Sequence, residues 1–328
     1  MKAVVQSCPG AADTLSLGDM PIPEPGPGQL RLRVRAAGVN RADVMQREGH
    51  YPPPPGASAI LGLEVAGEID AIGAGVTGFV PGERIAALVS GGGYAEFALV
   101  SASLAMRLPA GMGFVEAASL PEAWMTAWLN LRELGDLHVG QRVLIHAGAS
   151  GVGAAAIQLA RLSGATVLTT AGSDEKCAFC ESLGASLAIN YRTTDVAGAV
   201  RAAGKVDLIL DPVGGATLGP NLACLNQDGK LVLIAFMAGR STELDLGQLL
   251  MKRLTVIGST LRNRDPVTKA RLAARVQDTV IPAIVAGDAR ATVDRTFPLA
   301  EVAAAHRYLE SNQNRGKVVL TVAAASTV

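Results

Sequence analysis

The chain has 328 residues, 49% hydrophobic and 18% charged, and its 29 basic side chains balance its 29 acidic ones. At roughly 150 residues per domain this length predicts two domains, each able to bury a core without disulfide or metal staples. The apolar content excludes a disordered chain, and the neutral balance excludes nucleic-acid or anionic-membrane binding that works mainly by charge.

The start, MKAVVQSCPG, carries one lysine and a three-residue apolar run, far short of a signal-peptide core. The uncharged stretch Val143–Ala160 reaches the length of a membrane span, but His146, Ser150, Gln158 and three glycines suit a strand, a loop and a helix start better. Cys8, Cys177, Cys180 and Cys224 are too few and too scattered for a secreted disulfide framework. The expectation is a soluble, cytoplasmic protein with no membrane partner.

Eleven of the 17 prolines lie in the first 120 residues, between the alternating runs QLRLRVRAAGV, LEVAGEIDAIG, ERIAALV and YAEFALV. Period-two alternation bounded by Gly and Pro predicts half-buried antiparallel strands, joined by long loops such as the proline-stiffened YPPPPGAS. From about residue 122 the texture changes. RVLIHA, ATVLTTAG, LAINY, VDLILDPVG, GKLVLIAFM and LTVIGST are apolar strands separated by helical segments, the pattern of a parallel sheet covered on both faces. Beyond about residue 262 come a long helix from Pro266 to Ala286, the segment TFPLAEVAAAHRYLE and a strand, KVVLTV, that lies outside the series. The predicted class is α/β, a β-rich domain over 1–121 completed by 262–328, with a doubly wound parallel-sheet domain over 122–261.

The sharpest local signal is HAGASGVGAAA, in which Gly151, Gly153 and Ala156 fit G-x-G-x-x-A between a strand and a helix. Glycine permits the tight turn and the close approach of backbone to a pyrophosphate, and the helix N-terminus offers unpaired N–H groups. No Gly-Lys-Ser/Thr follows, so a Walker loop is excluded. At the end of the second strand stand Gly172 and Ser173, then Asp174, Glu175 and Lys176. Small residues with a hydroxyl and a lysine favour a 2′-phosphate, hence NADPH. Asp174 leaves NAD open as a ribose ligand, although Ser173 or Asp174 capping the helix is the plainer reading.

With these residues in view the chain resembles the zinc-independent quinone oxidoreductases of the medium-chain dehydrogenase/reductase superfamily, closest to the p53-inducible quinone oxidoreductase group. NRADVMQREGHYPPPPGAS, LGLEVAG, PEAWMTAW, LIHAGASGVG, TAGS and RGKVVL carry the likeness along essentially the whole length. The resemblance implies a GroES-like domain, a Rossmann domain, an interdomain active site, NADPH, and a homodimer or a tetramer built from dimers. It implies that Asn40, Thr126, Ser150, Gly151, Val152 and Gly153 lie along the nicotinamide and pyrophosphate. Ser173, Lys176 and Tyr191 would hold the 2′-phosphate, and Val213, Phe236, Met237, Leu261 and Lys317 would line the remaining groove. Asn40, Arg47 and Tyr51 match positions at the nicotinamide end and are the expected catalytic set. Met45 departs from the family, where many members carry tyrosine.

Zinc relatives have Cys where Asn40 stands and His where Leu63 stands, so no metal is expected. His146, Glu64, Tyr94, Trp124 and Trp128 have structural readings, as packed, hydrogen-bonded or strand residues, and a redox role for Cys177-x-x-Cys180 is disfavoured. The implied activity is NADPH-dependent reduction of quinones. The alternatives are an enoyl or alkenal double-bond reductase, or an NADPH-binding protein without physiological turnover. Hydride addition to a conjugated acceptor gives a delocalised enolate or phenolate that hydrogen bonds can stabilise, whereas a localised alkoxide has more use for a Lewis acid.

Overall fold

A computed structural model describes residues 1–323, and the chain divides into two units. Met1–Met125 joins the segment from Arg262 onward in one, and Thr126–Leu261 forms the other.

The first unit is β-rich. Its strands are β1 (Lys2–Gln6), β2 (Leu15–Asp19), β3 (Gln29–Val39), β4 (Glu64–Ile72), β5 (Arg84–Leu88), β6 (Phe97–Ser101) and β7 (Ala105–Arg107). The second unit contributes β8 (Arg142–Ile145), β9 (Thr166–Ala171), β10 (Leu187–Asn190), β11 (Val206–Asp211), β12 (Leu225–Leu233) and β13 (Thr255–Gly258). The chain then returns to the first unit for β14 (Val293–Pro298) and β15 (Lys317–Thr321). Strand β3 organises the first unit. Its alternation buries Leu30, Leu32 and Val34 against Val65, Ile69 and Ile85, while Arg31 and Arg35 face outward and pair with Asp70 and Glu68 on β4. Its last four residues, 36–39, are all buried, because β15 pairs antiparallel along them, Val318 opposite Val39. The seven-stranded sheet runs β14-β15-β3-β4-β5-β7, with β6 also on β3.

In the second unit six parallel strands run β10-β9-β8-β11-β12-β13. Val143, Leu144 and Ile145 on β8 and Leu208, Ile209 and Leu210 on β11 are all buried, as a sheet covered on both faces requires. Strand order reverses between β8 and β11, the place where open α/β sheets bind ligands beyond their carboxyl ends.

Near the C-terminus the TFPLAEVAAAHRYLE segment divides. Its start belongs to β14, which pairs parallel with β15, and helix Val302–Glu310 follows. The stretch from Pro266 to Ala286 is helical, with a wider π-type turn at Val276–Val280 just before Pro282, whose missing N–H cannot continue the α ladder. No helix among the described residues is long and apolar enough to cross a membrane.

Candidate active site

In the second unit β8 leads through His146–Ser150 into helix Gly151–Leu162. The turn is tight: Ala147 is left-handed at φ 53°. A Cβ on Gly148 would lie 2.0 Å from the Thr169 hydroxyl oxygen, and one on Gly153 would lie 2.3 Å from the Ala147 carbonyl oxygen. Both positions therefore require glycine for close packing. Gly148 was not part of the motif as read from sequence, although three glycines in GASGVG were its visible signal. Ser150 caps the helix, its Oγ accepting the Gly153 N–H at 3.0 Å. The amides of Gly151 and Val152 precede the first intrahelical bond, Ala154 N–H to the Ser150 carbonyl, and both residues are partly exposed at the positive end of the helix. That arrangement fits a phosphate.

His146 is a buried support. Its Nε2 lies 2.8 Å from Asn221 Oδ1 and its Nδ1 lies 3.0 Å from the Thr170 hydroxyl. The Asn221 amide donates to Asp211 at 2.9 Å, so its oxygen takes the Nε2 proton, and Nδ1 shares a hydrogen bond with the Thr170 hydroxyl. The Thr170 hydroxyl can serve either form of the ring, and burial, which lowers the His146 pKa, favours the neutral one. Asp211, which sequence reasoning missed, also accepts the N–H groups of Val213 at 2.6 Å and Gly214 at 3.1 Å. It thereby fixes the loop that carries Val213. Phe236 and Met237 follow β12 and are exposed although apolar, as a ligand groove would leave them. Thr126 and Leu261 are buried.

At the end of β9, Ser173 caps helix Asp174–Ser182, accepting the Lys176 N–H at 3.3 Å. Asp174 instead accepts from Asn190 Nδ2 at 2.7 Å. A Cβ on Gly172 would meet the Tyr191 hydroxyl at 2.7 Å, so the exposed phenol rests against bare backbone beside Ser173. Ser173, Lys176 and Tyr191 are thus brought together at the carboxyl ends of β9 and β10. Cys180 is buried and pushed up to about 12 by that burial, so no reactive thiolate forms there at neutral pH.

In the first unit a buried polar cluster surrounds Lys317. Its ammonium donates to Glu64 Oε1 at 2.5 Å, Asn40 Oδ1 at 2.6 Å and the Val39 carbonyl at 3.2 Å. Asn40 Nδ2 donates to the same Glu64 oxygen at 2.9 Å, and the Glu122 N–H donates to the other, also at 2.9 Å. Asn40 therefore has both ends of its amide engaged, and Lys317 is held in this cluster. Asp43 accepts from the Asn40 backbone at 2.8 Å and from Tyr94 Oη at 2.9 Å. Tyr94 is a core residue. Three carboxyls lie in the field of this ammonium, and only Glu64 bonds it. Burial first, and neighbouring acid second for Glu122, push Asp43 up to about 6 and Glu122 up to about 8.

Arg47 corrects the sequence reading. It is 1% exposed, and its guanidinium binds Glu310 through two bonds of 2.7 and 2.9 Å, with further bonds to Glu48 and the Gly10 carbonyl. It ties the helix Arg41–Arg47 to the helix Val302–Glu310 and has no donor to offer a substrate. Tyr51 is half-buried, with the Arg262 guanidinium 5.1 Å from its ring centroid. Burial raises its pKa, Glu122 adds to the rise and Arg262 opposes it, so the phenol keeps its proton at neutral pH.

Residues 26–110 match the alcohol dehydrogenase GroES-like domain, and residues 151–276 match the zinc-binding dehydrogenase family. No group of three or more His, Cys, Asp or Glu side chains among the described residues is arranged to hold a metal. A quinone oxidoreductase of Pseudomonas aeruginosa is 33% identical over 87% of this chain and 89% of its own length. The crystal structure of Escherichia coli quinone oxidoreductase complexed with NADPH superposes with a TM-score of 0.89 at 28% identity, over 98% of this chain and 100% of that one. CurK enoyl reductase superposes with a TM-score of 0.86 at 30% identity, over 98% of this chain and 99% of that one.

Proposed function

Because the chain belongs to the medium-chain dehydrogenase/reductase superfamily, we propose that it is an NADPH-dependent, zinc-independent reductase of quinones and related conjugated carbonyls. The observation that carries the cofactor reading is the glycine turn, where Gly148 and Gly153 leave no room for a Cβ and the partly exposed Gly151 and Val152 present N–H groups ahead of the first intrahelical bond. Residues Ser150, Gly151, Val152 and Gly153 would hold the pyrophosphate, and Ser173, Lys176 and Tyr191 the 2′-phosphate. Val213, Phe236 and Met237 supply apolar surface beside them. Bound there, NADPH supplies the hydride. The chain's own task is to orient the acceptor and stabilise the charge that develops on its oxygen. Tyr51, a protonated phenol, is the proposed donor to that oxygen. The reading without zinc is supported by the cluster around Lys317: the Asn40 and Glu64 oxygens are already committed to an ammonium.

The test is turnover by EDTA-treated protein with NADPH and 1,4-benzoquinone, 9,10-phenanthrenequinone or an alkenal. Oxidation of NADPH is expected, and Tyr51→Phe should slow it by about ten- to a hundredfold, or ~1.4 to 2.7 kcal/mol, with NADPH affinity unchanged. No turnover with any acceptor would reduce the protein to a nucleotide binder, and rescue only by added zinc would overturn the metal-free reading. The likeness to CurK enoyl reductase favours carbon–carbon double-bond reduction as the second reading, and a rate with the alkenal that exceeds both quinones would select it.

NADPH should bind at least about tenfold more tightly than NADH, ~1.4 kcal/mol. Lys176→Ala is expected to remove most of that gap; equal affinity in the parent would instead make Asp174 the ribose ligand.

A cytoplasmic homodimer is part of this proposal. Strand β13 is the open edge of the parallel sheet, and Leu246, Leu250, Met251 and Val256 are exposed on or just before it. A second copy against this edge would continue the sheet and cover those side chains. Sedimentation at the monomer mass would remove the dimer from the reading.

A further inference from the structure

We propose that Arg262 is a positioning residue for Tyr51, stacking on its ring and fastening its loop, an inference that rests on the reading of Tyr51 as donor. Arg262 is 5% exposed. One guanidinium nitrogen donates to the Tyr51 carbonyl at 3.4 Å, and the other donates to Gln46 Oε1 at 2.7 Å and to the Ser90 carbonyl at 2.9 Å. All these acceptors are neutral, Nε has no partner, and among the described residues Asp43 and Glu122 act on this cation only through space, with no carboxylate in direct contact.

A buried guanidinium without an ion pair is costly, and an apolar side chain could fill the same volume without that penalty. What the arginine adds is geometry and charge at the phenol. The planar fork joins three separated pieces of chain: the last turn of the helix Arg41–Arg47, the loop at Tyr51 and the end of the strand region after β5. The cation over the ring restricts its rotation and favours negative charge on the phenol oxygen, which strengthens it as a donor. Glu122 acts on the phenol in the opposite sense, Asp43 and Lys269 act on the guanidinium, and Glu64 and Lys317 act in turn on Glu122. Lys269 reinforces the arrangement from the helix Pro266–Arg275, donating to the Arg262 carbonyl at 2.6 Å. Arg262 acts on the reaction only through Tyr51.

The experiment compares Arg262→Met and Arg262→Lys with Tyr51→Phe in the full chain, reading kcat, KM, NADPH affinity and the ultraviolet titration of the Tyr51 phenol, isolated by difference against Tyr51→Phe. Arg262→Met should lower kcat about tenfold with NADPH affinity preserved, and should move the phenol titration to higher pH. Arg262→Lys keeps a cation but not the fork, so the titration should stay near the parent's while kcat falls severalfold. Arg262→Met in the Tyr51→Phe background should cost no further rate. Parent kcat together with a parent titration in Arg262→Met overturns the proposal, and if that variant does not fold, parent kcat in Arg262→Lys overturns it. If Tyr51→Phe itself keeps full turnover, the donor reading fails instead, and a titration that still shifts in Arg262→Met identifies that outcome.

Discussion

Replacing Lys317 by methionine is expected to destabilise the first unit by about 3–5 kcal/mol, the range for breaking a buried ion pair by removing one partner. Lys317 is 4% exposed and Glu64 0%, so water cannot replace the lost ammonium. Glu64 would keep only the Asn40 amide and the Glu122 N–H as donors. The Lys317 charge also opposes the rise of Asp43 and Glu122, so both carboxyls should move further up without it. The sign of the pH dependence follows. An acid whose folded pKa is raised binds more protons folded than unfolded, so its penalty is absent below the unfolded value and grows as pH rises to the folded one. In the parent that window runs from the ordinary values of 3.8 and 4.5 up to about 6 and about 8. The deficit of Lys317→Met should therefore be wider at the upper end of this window than at its lower end. Urea unfolding at both ends measures it. A double variant, Lys317→Met with Glu64→Leu, should recover most of the loss, because an apolar pair leaves no stranded charge. A single variant as stable as the parent at both ends would show that the cluster is not a working ion pair.

The residues that could be read from sequence are those whose role is set by near neighbours. Alternation along β3, the continuous apolar runs of β8 and β11, and the glycine turn between β8 and its helix are local patterns, and each appears where its periodicity puts it. Roles set by distant chain were not legible. Arg47 stands in a motif that pointed to the nicotinamide end, but its partner Glu310 is 263 residues away, and no spacing within the motif could reveal that pairing. Glu64 was legible as a structural acid but not its place under Lys317, which arrives only when β15 pairs with β3. Asp211 sits inside an apolar strand reading, and its function as the anchor of Val213 and Gly214 depends on a turn that folds back on it. Arg262, likewise, gains its meaning from Tyr51 and Gln46, both more than two hundred residues earlier.

Gly153→Ala should cost about 3 kcal/mol of stability and weaken NADPH binding roughly a hundredfold, ~2.7 kcal/mol. The added methyl would stand 2.3 Å from the Ala147 carbonyl oxygen, 2.7 Å from Gly148 Cα and 2.8 Å from the Gly148 carbonyl oxygen. All three are backbone atoms, so no side-chain rotation can relieve the contact. The turn cannot retreat either, since a Cβ-free Gly148 already lies against Thr169 and Cys180, and Ala147 is held in a left-handed conformation. The helix start must move. That motion breaks the Ser150 cap and swings the Gly151 and Val152 amides away from the proposed phosphate position, which is why stability and affinity should fall together. Gly219→Ala provides the control, because nothing lies within 4 Å of its added methyl; it should change stability by no more than about 1 kcal/mol and leave NADPH binding alone. Thermal unfolding and fluorescence titration with NADPH read the two effects separately. A Gly153→Ala protein that loses stability but binds NADPH as the parent does would make the turn a packing device and send the pyrophosphate elsewhere.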